Sequence, residues 1–185
     1  NSITLTPGTT TINFTPDDDI LVHALHEDSL FELEQGEKIL AEAGAMSWMS
    51  SNIKTTTAAR GGIMAGLKRA VLAGESFFQN TYEAEDGPAS IGLAPGTAGD
   101  IIAHDMDGEL FLEAGAFLAS TLDVNIDSKF QGLKGLLGEG MFALHASGSG
   151  TLFFNAYGDI EEVQVDGSYV VDNGYAVAWD PSLEY

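Results

Sequence analysis

Short apolar stretches alternate with glycine-containing turns along most of the chain. The apolar stretches are rich in β-branched and aromatic side chains, which is typical of β-strands. Residues Ile3, Leu5, Ile12 and Phe14 predict a leading hairpin of threonine-rich strands. Later turn signals are Asp86-Gly87-Pro88, Pro95-Gly96, Asp107-Gly108, Asp166-Gly167 and Asn173-Gly174. Together with 22 glycines, this pattern predicts an all-β protein with many tight connections.

One sequence unit recurs along the chain. The Gly-Asp-Ile motif at 99–101 returns at 158–160, and the Asp-Gly turn at Gly108 returns at Gly167 in the same register. The run Glu-Ala-Gly-Ala-Met that begins at Glu42 returns almost unchanged at Glu113. Internal similarity of this kind is typical of folds built from one supersecondary unit.

The repeats predict a single domain over residues 1–185. We place three pseudo-repeated units at about residues 20–60, 75–125 and 140–185, none of which buries its apolar face alone. The predicted fold class is all-β, a double-stranded β-helix or barrel-like body. One or two short helical turns are expected in the segments between the units, where apolar residues stand three and four positions apart.

Positive charge is concentrated in those segments. Six of the seven basic residues fall between Lys54 and Lys134, and only Lys38 lies elsewhere. We predict that residues 60–74 and 129–142 contact another subunit or an anionic membrane surface. The alternative is that they cover the ends of the barrel as internal plugs. The predicted interaction surface consists of Arg60, Met64, Leu67, Lys68, Arg69, Leu72, Phe130, Leu133, Lys134, Leu136 and Leu137.

Charge limits the partners of this chain. It has 28 acidic and 7 basic residues and a formal net charge of −21, so nucleic acid is not expected as a partner. Self-repulsion of this size destabilises a compact chain in dilute salt and is screened in molar salt. We therefore predict a halophilic, cytoplasmic protein. Cysteine is absent, which excludes disulfides and thiolate chemistry. No apolar run approaches 18 residues and no signal peptide is visible, so no membrane span is expected.

The sequence offers no convincing catalytic or metal site. The four histidines, His23, His26, His104 and His145, form no His-x-His pair, and the acidic run at 17–19 lacks the spacing of a calcium loop. Nucleophile-elbow, phosphate-loop and dinucleotide motifs are also absent. We predict no catalytic residues, no cofactor and no bound metal. Solvated or locally hydrogen-bonded histidines are favoured over a metal site that combines them with neighbouring acids.

The order of several short motifs resembles the "altered inheritance of mitochondria" family of mitochondrial-biogenesis proteins. The resemblance runs from about Leu30 to Tyr185. Its carriers are the stretches 33–37, 42–46, 74–78, 99–101, 165–167 and 178–179. The family is similar in fold to the tryptophan RNA-binding attenuation protein (TRAP), with the unit repeated three times. This implies a TRAP-like barrel and a non-enzymatic role, membrane-associated in mitochondria. The acidic charge of this chain argues against RNA binding, and fold alone does not give function.

These observations lead to two hypotheses about function. The first is a non-enzymatic scaffold or interaction protein that forms homo-oligomers at high salt and contacts the inner face of the cytoplasmic membrane or a membrane protein. The alternative is a small-molecule or metal-binding protein of the cupin-like β-helix class. The two predict different results for oligomer mass and for bound metal.

Overall fold

The computed structural model describes residues 3–6, 9–12, 30–58, 79–127 and 143–183. These residues form strands and turns, with no α-helix among them. The strands are β1 (Ile3–Thr6), β2 (Thr9–Ile12), β3 (Leu30–Leu33), β4 (Lys38–Glu42), β5 (Met46–Met49), β6 (Ile53–Ala58), β7 (Gln79–Ala84), β8 (Ala89–Leu93), β9 (Ile101–Glu113), β10 (Phe117–Ser120), β11 (Val124–Asp127), β12 (Ala143–Asn155) and β13 (Ala178–Trp179). Short 3-10 turns cover Ala114–Ala116 and Asn173–Tyr175. The all-β prediction is confirmed.

The strands are arranged in three antiparallel sheets. β1 and β2 form a hairpin with Ile3 opposite Ile12, as the sequence predicts; Phe14 lies outside the described residues. A second sheet has the order β13-β9-β12-β10-β4-β7-β6, with β11 also paired to β12. The third sheet has the order β3-β8-β5. Consecutive strands are often neighbours, but β10 and β13 pair with strands from earlier in the chain.

The expectation of a barrel is wrong for the part of the chain that the structure describes. A closed barrel needs a hydrogen-bonded neighbour on both sides of every strand. Here the larger sheet ends at β13 and β6, and the smaller sheet ends at β3 and β5. Both sheets are therefore open. The helical turns expected between the repeated units fall on segments outside the described residues.

Two long strands carry a pair of opposed glycines. β9 and β12 pair along their whole length, and Gly108 lies opposite Gly148 in the middle of the ladder. Both glycines have positive φ angles, 142° and 126°, which residues with a Cβ rarely adopt. Earlier in the chain, positive-φ glycines at 36 and 87 separate β3 from β4 and β7 from β8. There the hairpin is divided between two sheets. β9 instead continues through Gly108, so the turn predicted at Asp107-Gly108 is wrong: this glycine is paired within a strand.

The core consists of two main clusters that meet at β10. Leu118 and Ala119 belong to the first cluster, together with side chains of β3, β4, β7 and β8. Phe117 belongs to the second cluster, together with side chains of β9, β11 and β12. Successive residues of a strand point to opposite faces. β10 therefore contributes buried side chains to both clusters and joins them.

Tyr82 in β7 is the largest fully buried side chain of the described core. Its hydroxyl accepts a hydrogen bond of 3.1 Å from Asn80 Nδ2. Burial disfavours the phenolate and raises the pKa of Tyr82 above its ordinary value of about 10.

We expect this shift to make folding sensitive to alkali. The unfolded chain loses the Tyr82 proton near pH 10 while the folded chain retains it, so stability is complete below pH 10 and falls as the pH rises through the folded pKa. Tyr82→Phe should cost about 1 kcal/mol at neutral pH, from the lost hydrogen bond, and should flatten the alkaline decline. Urea unfolding from pH 8 to 11 measures both effects. Tyr169→Phe, at an exposed site, is the control; an equal decline in both variants would contradict the assignment to Tyr82.

None of the helical turns in the described ranges is long and apolar enough to cross a membrane.

Candidate interaction surface

Three chain corners are built around an acidic side chain and a glycine two positions later. Gly44 N donates to Glu42 Oε2 at 2.7 Å, and Gly174 N donates to Asp172 Oδ1 at 3.0 Å. At the third corner, a Cβ on Gly115 would lie 2.9 Å from Glu113 Oε2. These carboxylates lie against the backbone of their own corner. Their geometry fits a structural role, since each carboxylate is held by the turn that it closes.

Two strands that come directly after a corner are hydrogen bonded to a strand that comes directly before an earlier corner. β10 pairs with β4, with Ala119 opposite Ala41 and Ser120 opposite Leu40. β13 pairs with β9, with Ala178 opposite Leu112 and Trp179 opposite Phe111. The backbone N of Glu113 also donates to Val177 O at 2.9 Å. The same antiparallel contact thus occurs twice between successive parts of the chain.

β5 follows the first corner but pairs only with β8 among the described strands. Met46 lies opposite Leu93, Trp48 opposite Gly92 and Met49 opposite Ile91. β5 is an edge strand of its sheet, and Met49 is 37% exposed. An exposed edge strand presents unpaired backbone N–H and C=O groups that can accept another strand.

Residues 160–172 form the second unpaired feature, which we call the C-terminal arm. The repeated pattern predicts strands here, but the structure contains only a bend at Asp166 and Gly167. No described strand pairs with the arm, and an extended segment without a ladder partner is not a stable strand. Ile160 packs against the second core cluster, but the later apolar side chains of the arm are exposed: Val170 is 95% exposed and Tyr169 is 59% exposed. Val163, Val165 and Val171 are also exposed.

An open groove of about 440 Å³ lies between two of the corners. Its lining includes Glu113, Gly115, Asn155, Tyr157 and Gly174. Asn155 is buried, and its Nδ2 donates to Thr97 Oγ1 at 3.3 Å. The groove is therefore open to solvent and is lined by one carboxylate, one buried amide and mainly small residues.

His145 lies on β12 beside an aromatic group. Its ring centroid is 5.2 Å from that of Phe111, which in turn lies 6.2 Å from Trp179. His145 Nε2 is 3.4 Å from Glu109 Oε2. No group of three or more His, Cys, Asp or Glu side chains within the described ranges is arranged to hold a metal. His23, His26 and the acidic run at 17–19 lie outside those ranges.

All eleven residues of the interaction surface predicted from the sequence lie outside the described residues. They fall in 59–78 and 128–142, so this prediction stays a prediction. The edge of β5 and the arm were not singled out from the sequence. Their apolar residues resemble those of any strand in the sequence. Only the order of strands within each sheet shows which segments have an unpaired edge.

Comparison with known proteins places these features in a family. Residues 30–185 match the family model described as "Mitochondrial biogenesis AIM24". An uncharacterised protein of Streptococcus pyogenes serotype M6 is 31% identical over 165 residues, which cover 83% of this chain and 66% of the relative, just under two thirds of its length. A crystal structure of a Streptococcus pyogenes protein matches with a TM-score of 0.67 and 29% identity, covering 83% of this chain and 70% of that one.

Proposed function

The chain belongs to the AIM24 family of mitochondrial-biogenesis proteins, and from this premise we propose that it is a non-enzymatic scaffold protein that associates with further copies of itself. One observation carries the proposal: among the described residues, β5 has an unpaired edge, and the arm at 160–172 exposes apolar side chains outside any sheet. Edges and apolar patches of this kind are characteristic of surfaces that take a partner.

Internal repetition supports this function. If successive units contact each other in the same way, the first unit of one copy can make the same contact with the last unit of another copy. The turn after β5 and the turn after β10 make the same hydrogen bonds. Ser50 N donates to Ser90 O at 2.9 Å, and Thr121 N donates to Thr151 O at 3.0 Å. The side-chain oxygens of Ser50 and Thr121 accept from the backbone of the same partners at 3.0 and 3.1 Å. We therefore retain three TRAP-like units as part of the proposal.

The net charge of −21 sets the conditions under which copies can approach each other. Like-charged chains repel at low ionic strength, whereas at 1 M salt the Debye length is about 3 Å and the repulsion is confined to direct contacts. Basic residues Lys38 and Lys54 are used locally: Lys38 Nζ lies 3.2 Å from Glu83 Oε2, and Lys54 Nζ lies 2.5 Å from Glu85 Oε1. The proposed setting is accordingly a halophilic cytoplasm.

Self-association should therefore depend on salt in the direction opposite to that of an ordinary ionic contact. We expect the molar mass of the wild-type chain, measured by light scattering, to exceed 19.5 kDa in molar KCl and to fall towards this value in 0.1 M KCl. A constant mass of 19.5 kDa at both salt concentrations would overturn the proposal. Circular dichroism at each concentration is the control, because it separates dissociation from unfolding.

Contact with a membrane remains the second part of this proposal. Its support is the sequence of the two basic and apolar segments, 60–74 and 129–142, whose charge and apolar content suit an anionic lipid surface. Co-sedimentation with vesicles of anionic lipid tests it, with neutral vesicles as the control. Equal pelleting with both, or with neither, would count against it. Nucleic acid is not part of the proposed function, since the charge of the chain opposes it.

The groove beside Glu113 and Asn155 supports a second candidate, a small-molecule-binding protein. Its volume of about 440 Å³ lies in the range of known ligand pockets. A wild-type chain that stays at 19.5 kDa in molar KCl, and whose thermal midpoint rises with a small polar ligand, would favour this candidate over the scaffold. If the thermal midpoint of Asn155→Ala did not rise with the same ligand, the ligand would be located in the groove.

A further inference from the structure

Two contacts inside the chain follow one rule. The donor strand begins its pairing six positions after the acidic residue of a corner: Ala119 after Glu113, and Ala178 after Asp172. The acceptor is the residue just before the acidic residue of the preceding corner. Ala41 precedes Glu42, and Leu112 precedes Glu113. In both cases the next residue of the donor strand pairs with the preceding residue of the acceptor strand, as antiparallel pairing requires.

The rule specifies one more contact, which is not made in the structure. Six positions after Glu42 stands Trp48, followed by Met49, both in β5. Just before Asp172 stands Val171, preceded by Val170. The third contact would therefore pair Trp48 with Val171 and Met49 with Val170. Both sides are available: β5 is an edge strand, while Val171 is half exposed and Val170 is 95% exposed.

The chemistry of the two sides is complementary. β5 contains Met46, Ser47, Trp48 and Met49, and the stretch 168–171 contains serine, tyrosine and two valines. Neither stretch carries a charge, although the whole chain carries −21. Aromatic and β-branched residues directly opposite one another stabilise an antiparallel pair by about 0.2 to 1 kcal/mol for each pair. These two uncharged stretches are therefore the part of the surface where a second acidic chain can dock at the least electrostatic cost.

On this basis we propose that β5 of one copy pairs with residues 168–171 of a second copy, with Trp48 opposite Val171 and Met49 opposite Val170. The inference rests on the proposed self-association and assigns its interface. Within one copy β5 is not paired with the arm, and Val170 is almost fully exposed. Because donor and acceptor are different surfaces, the contact is heterologous and runs head to tail, forming a ring or a filament.

The absence of cysteine from the sequence allows a direct test by cross-linking. Directly opposite residues in an antiparallel pair have Cβ atoms about 4.5 to 5.5 Å apart, and a small local adjustment brings them to the roughly 3.5 to 4.5 Å of a disulfide. We would mix chains carrying Met49→Cys with chains carrying Val170→Cys in molar KCl and oxidise them mildly. A disulfide-linked dimer of about twice 19.5 kDa is expected on a non-reducing gel. Neither variant alone should give this dimer.

Two further variants keep the result interpretable. Val165→Cys is the matched control for Val170→Cys, because it is also an exposed valine of the arm but lies beyond the bend at Asp166 and Gly167; mixed with Met49→Cys it should not cross-link. Trp48→Cys mixed with Val171→Cys tests the neighbouring pair of the same ladder, so that failure of one variant to fold does not decide the outcome. Circular dichroism establishes the fold of each variant.

The outcomes separate this interface from self-association in general. If wild-type chains associate in molar KCl but neither mixture cross-links, the interface is wrong and the proposed function stands. If wild-type chains stay monomeric and nothing cross-links, both are wrong. A single chain carrying Met49→Cys and Val170→Cys that oxidises to a compact monomer would show closure within one copy, and this result would also overturn the assignment to a second copy.

Discussion

Gly148→Ala should lower the free energy of unfolding by about 4 kcal/mol. Two costs combine at this position in the middle of β12. The backbone has a φ angle of 126°, which costs a residue with a Cβ about 1 to 3 kcal/mol. A Cβ there would also overlap the backbone oxygen of Asp123, and overpacking against rigid backbone costs about 1 to 3 kcal/mol more. Urea unfolding in molar KCl measures the change.

Gly108 supplies the matched control. It lies directly opposite Gly148 in the ladder and has a similar φ angle of 142°, but a Cβ there would meet no atom within 4 Å. Gly108→Ala should therefore cost only the conformational part, about 2 kcal/mol. Equal losses in the two variants would show that contact with the turn at Asp123 contributes nothing. That result would contradict the close approach of the Asp123 backbone to Gly148, where β11 pairs with β12.

We expect Leu118→Ala to cost about 3 kcal/mol, the second largest effect. Leu118 is 1% exposed and lies on β10, the strand that carries side chains into both core clusters. Truncating a buried leucine costs about 2 to 5 kcal/mol, since the transfer free energy is lost and a cavity remains. Because β10 is hydrogen bonded to both β12 and β4, both clusters should lose stability together, in one cooperative transition.

Leu122→Ala is the comparison for this prediction. Leu122 stands four residues further on and is 52% exposed, so its truncation should change stability by no more than about 0.5 kcal/mol. Unfolding would be followed by circular dichroism and by tryptophan fluorescence, since Trp48 and Trp179 lie in different sheets. Two separate transitions in Leu118→Ala would mean that β10 does not couple the clusters.

Much of the local structure was predictable because it follows from short-range chemistry. The hairpin that pairs Ile3 with Ile12 is confirmed, and Gly108 and Gly167 have the positive φ angles expected of glycines after aspartate, but Gly108 lies inside the continuous strand β9 and not at a turn between two strands. The run Glu-Ala-Gly-Ala gives similar corners at Glu42 and Glu113 for the same reason. Each carboxylate lies close to the glycine two residues later.

Closure of the sheets was not predictable from these signals. A strand with alternating apolar and polar residues has the same sequence pattern whether one or two other strands pair with it. The pattern shows which face of the sheet is buried, whereas pairing involves the backbone groups at the edges of the strand. The sequence therefore suggested a barrel where β5 and β13 end open sheets. It also pointed to Leu67 and Leu133 for the interaction surface, while the described structure draws attention to Met49 and Val170, whose exposure depends on pairing far along the chain.

The most direct measurement of the central claim is the mass of the unmodified chain in molar KCl over a series of protein concentrations, by sedimentation equilibrium. Head-to-tail pairing of β5 with the C-terminal arm predicts a weight-average mass that rises with concentration to at least twice 19.5 kDa. A mass that stays at 19.5 kDa throughout the series, with the fold intact, would contradict it.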